Sequence, residues 1–133
     1  MTEPRATGKT IGLVLLTAVS AFAATSGIVF DFTATHLYNP AWPPHARFHG
    51  YLSIARTALI MLAVVALAWG PVRAGIRFGW GMLALLLLGW LAIWFVAPLA
   101  GPGTGDRAAY TFAALLTPLS LIGLWLCRPR PRG

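Results

Sequence analysis

The chain has 133 residues, of which 58% are hydrophobic and 10% charged. A water-soluble domain of this length keeps too much exterior to hide that apolar area, which excludes a soluble fold, and the unbroken apolar runs exclude the alternation of a transmembrane β-barrel. A formal net charge of +7 does not mark a nucleic-acid partner, because the basic side chains collect at the ends of apolar runs rather than on one face between aromatics.

Four apolar runs read as membrane-spanning helices, over about 11–30, 50–69, 78–97 and 109–127. Each is close to the roughly 20 residues that cross a hydrocarbon core. Helix is forced there, since an unpaired backbone group in lipid costs several kcal/mol. The expected fold is all-α, a transmembrane four-helix bundle forming a single integral membrane domain over residues 1–133.

The first run follows Arg5 and Lys9. Within it, Ala21-Phe22-Ala23 resembles the cleavage site of a signal peptide, but the apolar stretch continues to Phe32. That is long for a signal core, so an uncleaved helix is expected.

The next segment, Asp31 to His49, holds all three histidines, His36, His45 and His49, and one of the three acidic residues. Asn39-Pro40 reads as a turn, and Pro43-Pro44 as a helix start, where proline is tolerated. With about 100° per residue, His45, His49 and Arg56 fall within an arc of roughly 40°. The second helix is thus expected to carry a His-His-Arg stripe descending into the membrane, with Arg47 turned nearly opposite, toward headgroups. Arg56 lies roughly 10 Å along the helix from His49. An arginine at that depth costs about 2.5–3.5 kcal/mol and either meets a partner or snorkels to the interface. Asp31 is the expected partner.

Gly70-Pro71 stops the second run, and Arg73 and Arg77 precede the third, which ends at Pro98. The connection Gly101 to Arg107 adds only Asp106 and Arg107. Pro118 in the fourth run is expected to bend that helix and free a carbonyl for a neighbouring helix. The single Cys127 forbids an internal disulfide and reads as an inert buried thiol. Arg128, Arg130 and Arg132 follow it. This distribution of Lys and Arg predicts a multi-pass protein with both termini cytoplasmic and both odd-numbered loops outside. Trp42, Trp69, Trp80 and Trp125 suit the membrane interface, whereas Trp90 and Trp94, one turn apart, read as packing or lipid-facing residues.

The candidate catalytic residues are His45, His49 and His36; the candidate binding residues are Arg56, Asp31, Asn39 and Trp42. Histidine titrates near neutral pH, and Arg56 suits an anionic headgroup or an oxyanion. Two histidines at i and i+4 also suit a metal or haem, with His36 as a third ligand. The missing glutamate of the zincin pattern and the nearby Arg56 charge argue against that reading, so no metal is assigned. Hydrogen-bonded loop architecture without chemistry is the third reading. The sequence names no cofactor, and leaves open whether the protein is an enzyme.

The segment Thr35-His36-Leu37-Tyr38-Asn39-Pro40-Ala41-Trp42-Pro43-Pro44-His45-Ala46-Arg47-Phe48-His49 resembles the T-H-x-x-N-P-x-W-P-P-H-A-R-F-H signature of a family of uncharacterised small bacterial four-pass membrane proteins. The likeness covers the first loop and the start of the second helix; the remainder is similar only as hydrophobic spans. It implies four-pass topology in a bacterial inner membrane and a shared outer motif, with no activity attached. The sterol-isomerase-like membrane family is a poor match, since this chain has no intramembrane glutamate and too few spans. The expected function is binding of, or action on, a lipid-like or quinone-like molecule at an outer-face His/Arg pocket between the first two helices. The alternatives are a non-enzymatic structural or accessory subunit of a membrane complex, or a His-based metal or haem site. The expected partners are the lipid bilayer and a lipid-like small molecule, with a membrane-protein partner or homo-oligomer as a further option.

Overall fold

A computed structural model describes residues 3–101 and 107–129. All regular structure among them is helical: α1 (Glu3–Asp31), α2 (Pro44–Leu67), α3 (Arg77–Val96) and α4 (Arg107–Leu126). A π-helical turn, Ala68–Val72, extends α2, and a 3₁₀ turn, Ala97–Ala100, follows α3. The helices begin earlier than the apolar runs in α1 and α2, because hydropathy marks only the part immersed in lipid, while the polar flanks are equally able to coil. Pro43, extended at φ −63° and ψ 152°, stands before Pro44 at the first turn of α2, where a missing N–H leaves no bond unmade.

Three helical stretches, Ala6–Asp31, Pro44–Val72 and Arg77–Val96, are long and apolar enough to cross a membrane, and the apolar part of α4, Tyr110–Leu126, is shorter. The protein is therefore a membrane protein built as an all-α four-helix bundle. α1 packs on α2 and α4, and α3 packs on the same two helices. This is the cyclic order of an up-and-down bundle, so the α1–α2 and α3–α4 connections share one end, here called the loop end. Leu13, Leu16, Val19 and Ala23 of α1 meet Met61 and Val64 of α2, Leu83, Leu87 and Leu91 of α3, and Leu116 and Leu124 of α4 in one core. Large side chains such as Leu59, Leu62, Phe78 and Leu85 stay exposed. Lipid covers such a surface without penalty, and packing rather than the hydrophobic effect must then hold the helices together.

Close approach of small residues supplies that packing. A Cβ at Gly12 would lie 2.8 Å from Leu126 Cβ and 2.9 Å from the Gly123 carbonyl, and one at Gly123 would lie 2.8 Å from Leu16 Cγ. Only glycine lets α1 and α4 come so near. Buried Cys127 sits in this contact, its Sγ 3.6 Å from the Lys9 carbonyl, in keeping with a packed thiol.

Tryptophan N–H groups link neighbouring helices. Trp69 donates to Thr17 Oγ1 at 2.9 Å, Trp80 to the Leu124 carbonyl at 3.0 Å, and Trp90 to Thr57 Oγ1 at 3.2 Å. Pro71 explains the π turn: it has no N–H to give, and the amides of Arg73 and Ile76 instead reach five residues back, to Ala68 and Pro71, at 3.0 and 2.9 Å. Gly75, at φ 81°, then reverses the chain into α3. α4 continues through Pro118 without interruption.

Candidate functional site

α1 ends at Asp31 and the chain folds into tight turns. The amides of Leu37, Tyr38, Asn39 and Trp42 donate to the carbonyls of Asp31, Thr33, His36 and Asn39 at 2.9–3.1 Å. Leu37 is buried and seats against Gly50 of α2, which pins the loop to the bundle. Asn39 serves this architecture: its Oδ1 accepts from the Ala41 amide at 2.9 Å, and its carbonyl accepts from Arg47 Nη2 at 2.9 Å. Arg47 also approaches the Pro40 carbonyl at 3.3 Å. Arg47, expected to reach toward headgroups, also ties the loop to α2 through these carbonyls. Trp42 lies edge-on to His36, with ring centroids 5.9 Å apart.

The arc on α2 forms. His45 and His49 are both exposed and bring their Nε2 atoms to 3.0 Å, one ring donating and the other accepting. Arg56 is exposed on the same helix. The expected pairing with Asp31 is not made: among the described residues no ion pair or hydrogen bond joins them. The cause is the rotation of α2, which turns Ile54 and Thr57 toward the neighbouring helices and leaves Arg56 exposed. Ile54 occupies the place beside α1, 3.3 Å from where a Cβ at Gly27 would lie.

His36 belongs elsewhere. Its Nδ1 lies 3.0 Å from Thr35 Oγ1 and 3.3 Å from Thr33 Oγ1. His36 lines a half-open cavity that does not include His45, His49 or Arg56. The arrangement of His36, His45 and His49 around one metal is accordingly not assembled, and no group of three His, Cys, Asp or Glu suited to a metal occurs among the described residues.

The cavity has a volume of about 650 Å³ and lies among all four helices at the loop end. α1 contributes Gly27, Phe30 and Asp31, the loop Thr33, Thr35 and His36, and α2 Ser53, Ile54 and Thr57. α3 contributes Trp90 and Trp94, and α4 Tyr110 and Phe112. Trp90, Trp94 and Phe112 form one aromatic wall, with centroid separations of 5.8 to 6.3 Å. Asp31 Oδ2 folds back along α1 to 3.7 Å from the place a Gly27 Cβ would take, and the nearby ionisable side chain is His36. Two of the sequence-derived candidates, Asp31 and His36, thus share a site, and Asn39, Trp42, His45, His49 and Arg56 do not line it.

Sequence reading missed the aromatic wall. Trp90 and Trp94 do pack, as expected, but their packing forms the cavity. Their i, i+4 spacing inside a span was the available signal; Ser53, Thr57 and Phe112 had none, since each becomes informative only when four separate helices converge. No protein-family model matches this chain, and comparison with curated proteins and with solved structures finds no match.

Proposed function

We propose that the protein is a small integral membrane protein that binds a lipid-like or quinone-like molecule in this cavity. The observation that carries the reading is the composition of the cavity: an aromatic wall of Trp90, Trp94 and Phe112 faces a polar end with Asp31, His36 and the hydroxyl-bearing Thr33 and Thr35. Small-molecule sites are concave, mostly apolar and furnished with a few convergent polar groups, in a volume range of roughly 300–1,000 Å³. An amphiphile matches that division, with its chain against the rings and its head at the loop end. His36 is the group best suited to proton exchange with a head there. The test is a mass-spectrometric inventory of small molecules co-purified with the full chain and with Trp94→Ala. A lipid or quinone retained by the native chain and lost from the variant supports the reading; equal retention by both opposes it.

The loop end faces outward in this proposal, and both termini lie in the cytoplasm of a bacterial cell, in its inner membrane. Arg73 and Arg77 lie at the opposite end from the cavity, beside Lys9, whose Nζ donates to the Arg73 carbonyl at 2.9 Å. Clustering of basic residues at that end supports the orientation. The likeness of the Thr35–His49 segment to bacterial four-pass proteins supports the setting. Ala41→Cys in a Cys127→Ser background should react with an impermeant thiol reagent added outside; reaction only from the cytoplasmic side would reverse the orientation.

The exposed Arg56, without a partner among the described residues, favours a second reading, an accessory subunit whose α2 face is covered by another membrane protein or a second copy. Site-specific cross-linking from position 59 in native membranes tests it: a discrete adduct supports a covering chain, and labelling of lipid alone opposes one.

A further inference from the structure

The formal charge inside the cavity has the opposite sign to the one the stripe on α2 suggests. Among the described residues, Asp31 is its only acidic lining residue, and no lysine or arginine lines it. Among the described residues, His36 and Tyr110 are the other ionisable side chains in the lining. Several hydroxyl groups around the site already have partners: Ser26 donates to the Ala23 carbonyl at 2.8 Å, Thr57 accepts from Trp90, and Thr33 and Thr35 lie on His36 Nδ1, while Ser53 and Tyr110 have none among the described residues. The Asp31 side chain takes part in no hydrogen bond or ion pair among the described residues. The part-buried Asp31 carboxylate lies beside aromatic rings without a donor from the described residues, so a ligand that brings one gains a charge-assisted hydrogen bond there.

Three kinds of head separate on this chemistry. An anionic head is repelled by Asp31. An oxidised quinone presents only acceptors, as the carboxylate does, so the two cannot hydrogen-bond. An ammonium head presents both the missing donors and the compensating charge, and its charge is also attracted to aromatic faces such as those of Trp90 and Trp94.

Resting on the reading of the cavity as an amphiphile site, we infer that its ligand is a cationic amphiphile, a long-chain amine or ammonium lipid, with the Asp31 carboxylate as counter-ion.

The experiment compares dodecylamine, dodecanol and dodecanoate, identical in chain and different in head, by native mass spectrometry of the full chain in a neutral detergent. Asp31→Asn keeps the shape and removes the charge. Ser53→Phe fills the cavity from an exposed position on α2. The amine should bind roughly tenfold or more tightly than the alcohol, and dodecanoate least. Asp31→Asn should erase the preference for the amine, weakening amine binding far more than alcohol binding, and Ser53→Phe should weaken all three. Equal binding of amine and alcohol, or tightest binding of dodecanoate, overturns the cationic ligand while leaving an amphiphile site in place. An amine preference that persists in Asp31→Asn overturns the counter-ion assignment. Binding of all three that Ser53→Phe does not alter overturns the cavity reading itself.

Discussion

His45, His49 and Arg56 share one face of α2, and that face is turned outward; Asp31 and His36, from the end of α1 and the loop after it, stand in the cavity lining. Both groups are polar and lie toward the same part of the bundle, yet they meet different surroundings. The stripe faces whatever surrounds the protein, and its two imidazoles satisfy each other. The cavity group lines a half-open pocket to which all four helices contribute, and its carboxylate is left without a donor among the described residues. The contrast teaches that a helical period identifies which residues share a face but not what that face sees. A ligand site requires convergence of several elements, and the stripe belongs to one.

The comparison is most easily broken through the aromatic wall. Trp90 is 7% exposed and joins α3 to Thr57 of α2 while facing Trp94 and Phe112. Trp90→Ala should destabilise the bundle by about 3 kcal/mol, the low end for a buried aromatic because lipid replaces water outside the protein. Denaturant-driven unfolding in mixed micelles measures it. A loss below about 0.5 kcal/mol would mean that the wall does not close the cavity.

A smaller effect is expected at the contact between α1 and α4. Gly12→Ala places a methyl group 2.7 Å from Cys127 Sγ and 2.8 Å from Leu126 Cβ. The helices must separate, at about 1–3 kcal/mol, and amphiphile binding should weaken with them. The same unfolding assay, paired with native mass spectrometry, checks both. Unchanged stability would show that α1 and α4 are not in the close register described.

The stripe should be nearly silent. His45→Ala and His49→Ala are exposed substitutions outside the cavity, so each should shift stability by no more than about 0.5 kcal/mol. Dodecylamine binding should remain as in the native chain. Substantial loss of binding in either would move the ligand site to the stripe and reverse the comparison.

The smallest effect is a coupling expected to vanish. Because Arg56 and Asp31 form no pair, Arg56→Leu and Asp31→Leu should add to within about 0.5 kcal/mol. A double-mutant cycle giving more than about 1 kcal/mol of coupling would place them in contact.

Several features were legible in the residues alone. Four continuous apolar runs of near-membrane length demanded helices, since lipid offers the backbone no hydrogen-bonding partner. Pro43-Pro44 marked the start of α2. The fixed helical turn put His45 beside His49, and the contact between their rings follows from it. The fate of Arg56 did not follow, because hydrophobicity is spread almost evenly around α2, and a helix with lipid on one side and apolar packing on the other carries little signal for its own rotation. Tertiary structure alone decided that rotation, through Ile54 seated against Gly27 and Trp90 bonded to Thr57. It alone left Asp31 unpaired beside His36 and brought Trp90, Trp94 and Phe112 together. The physical reason is range: the backbone's need for internal hydrogen bonds acts within one segment and is written in its composition, whereas a cavity is the space left when four segments pack, and its shape depends on side chains up to about 90 positions apart in sequence.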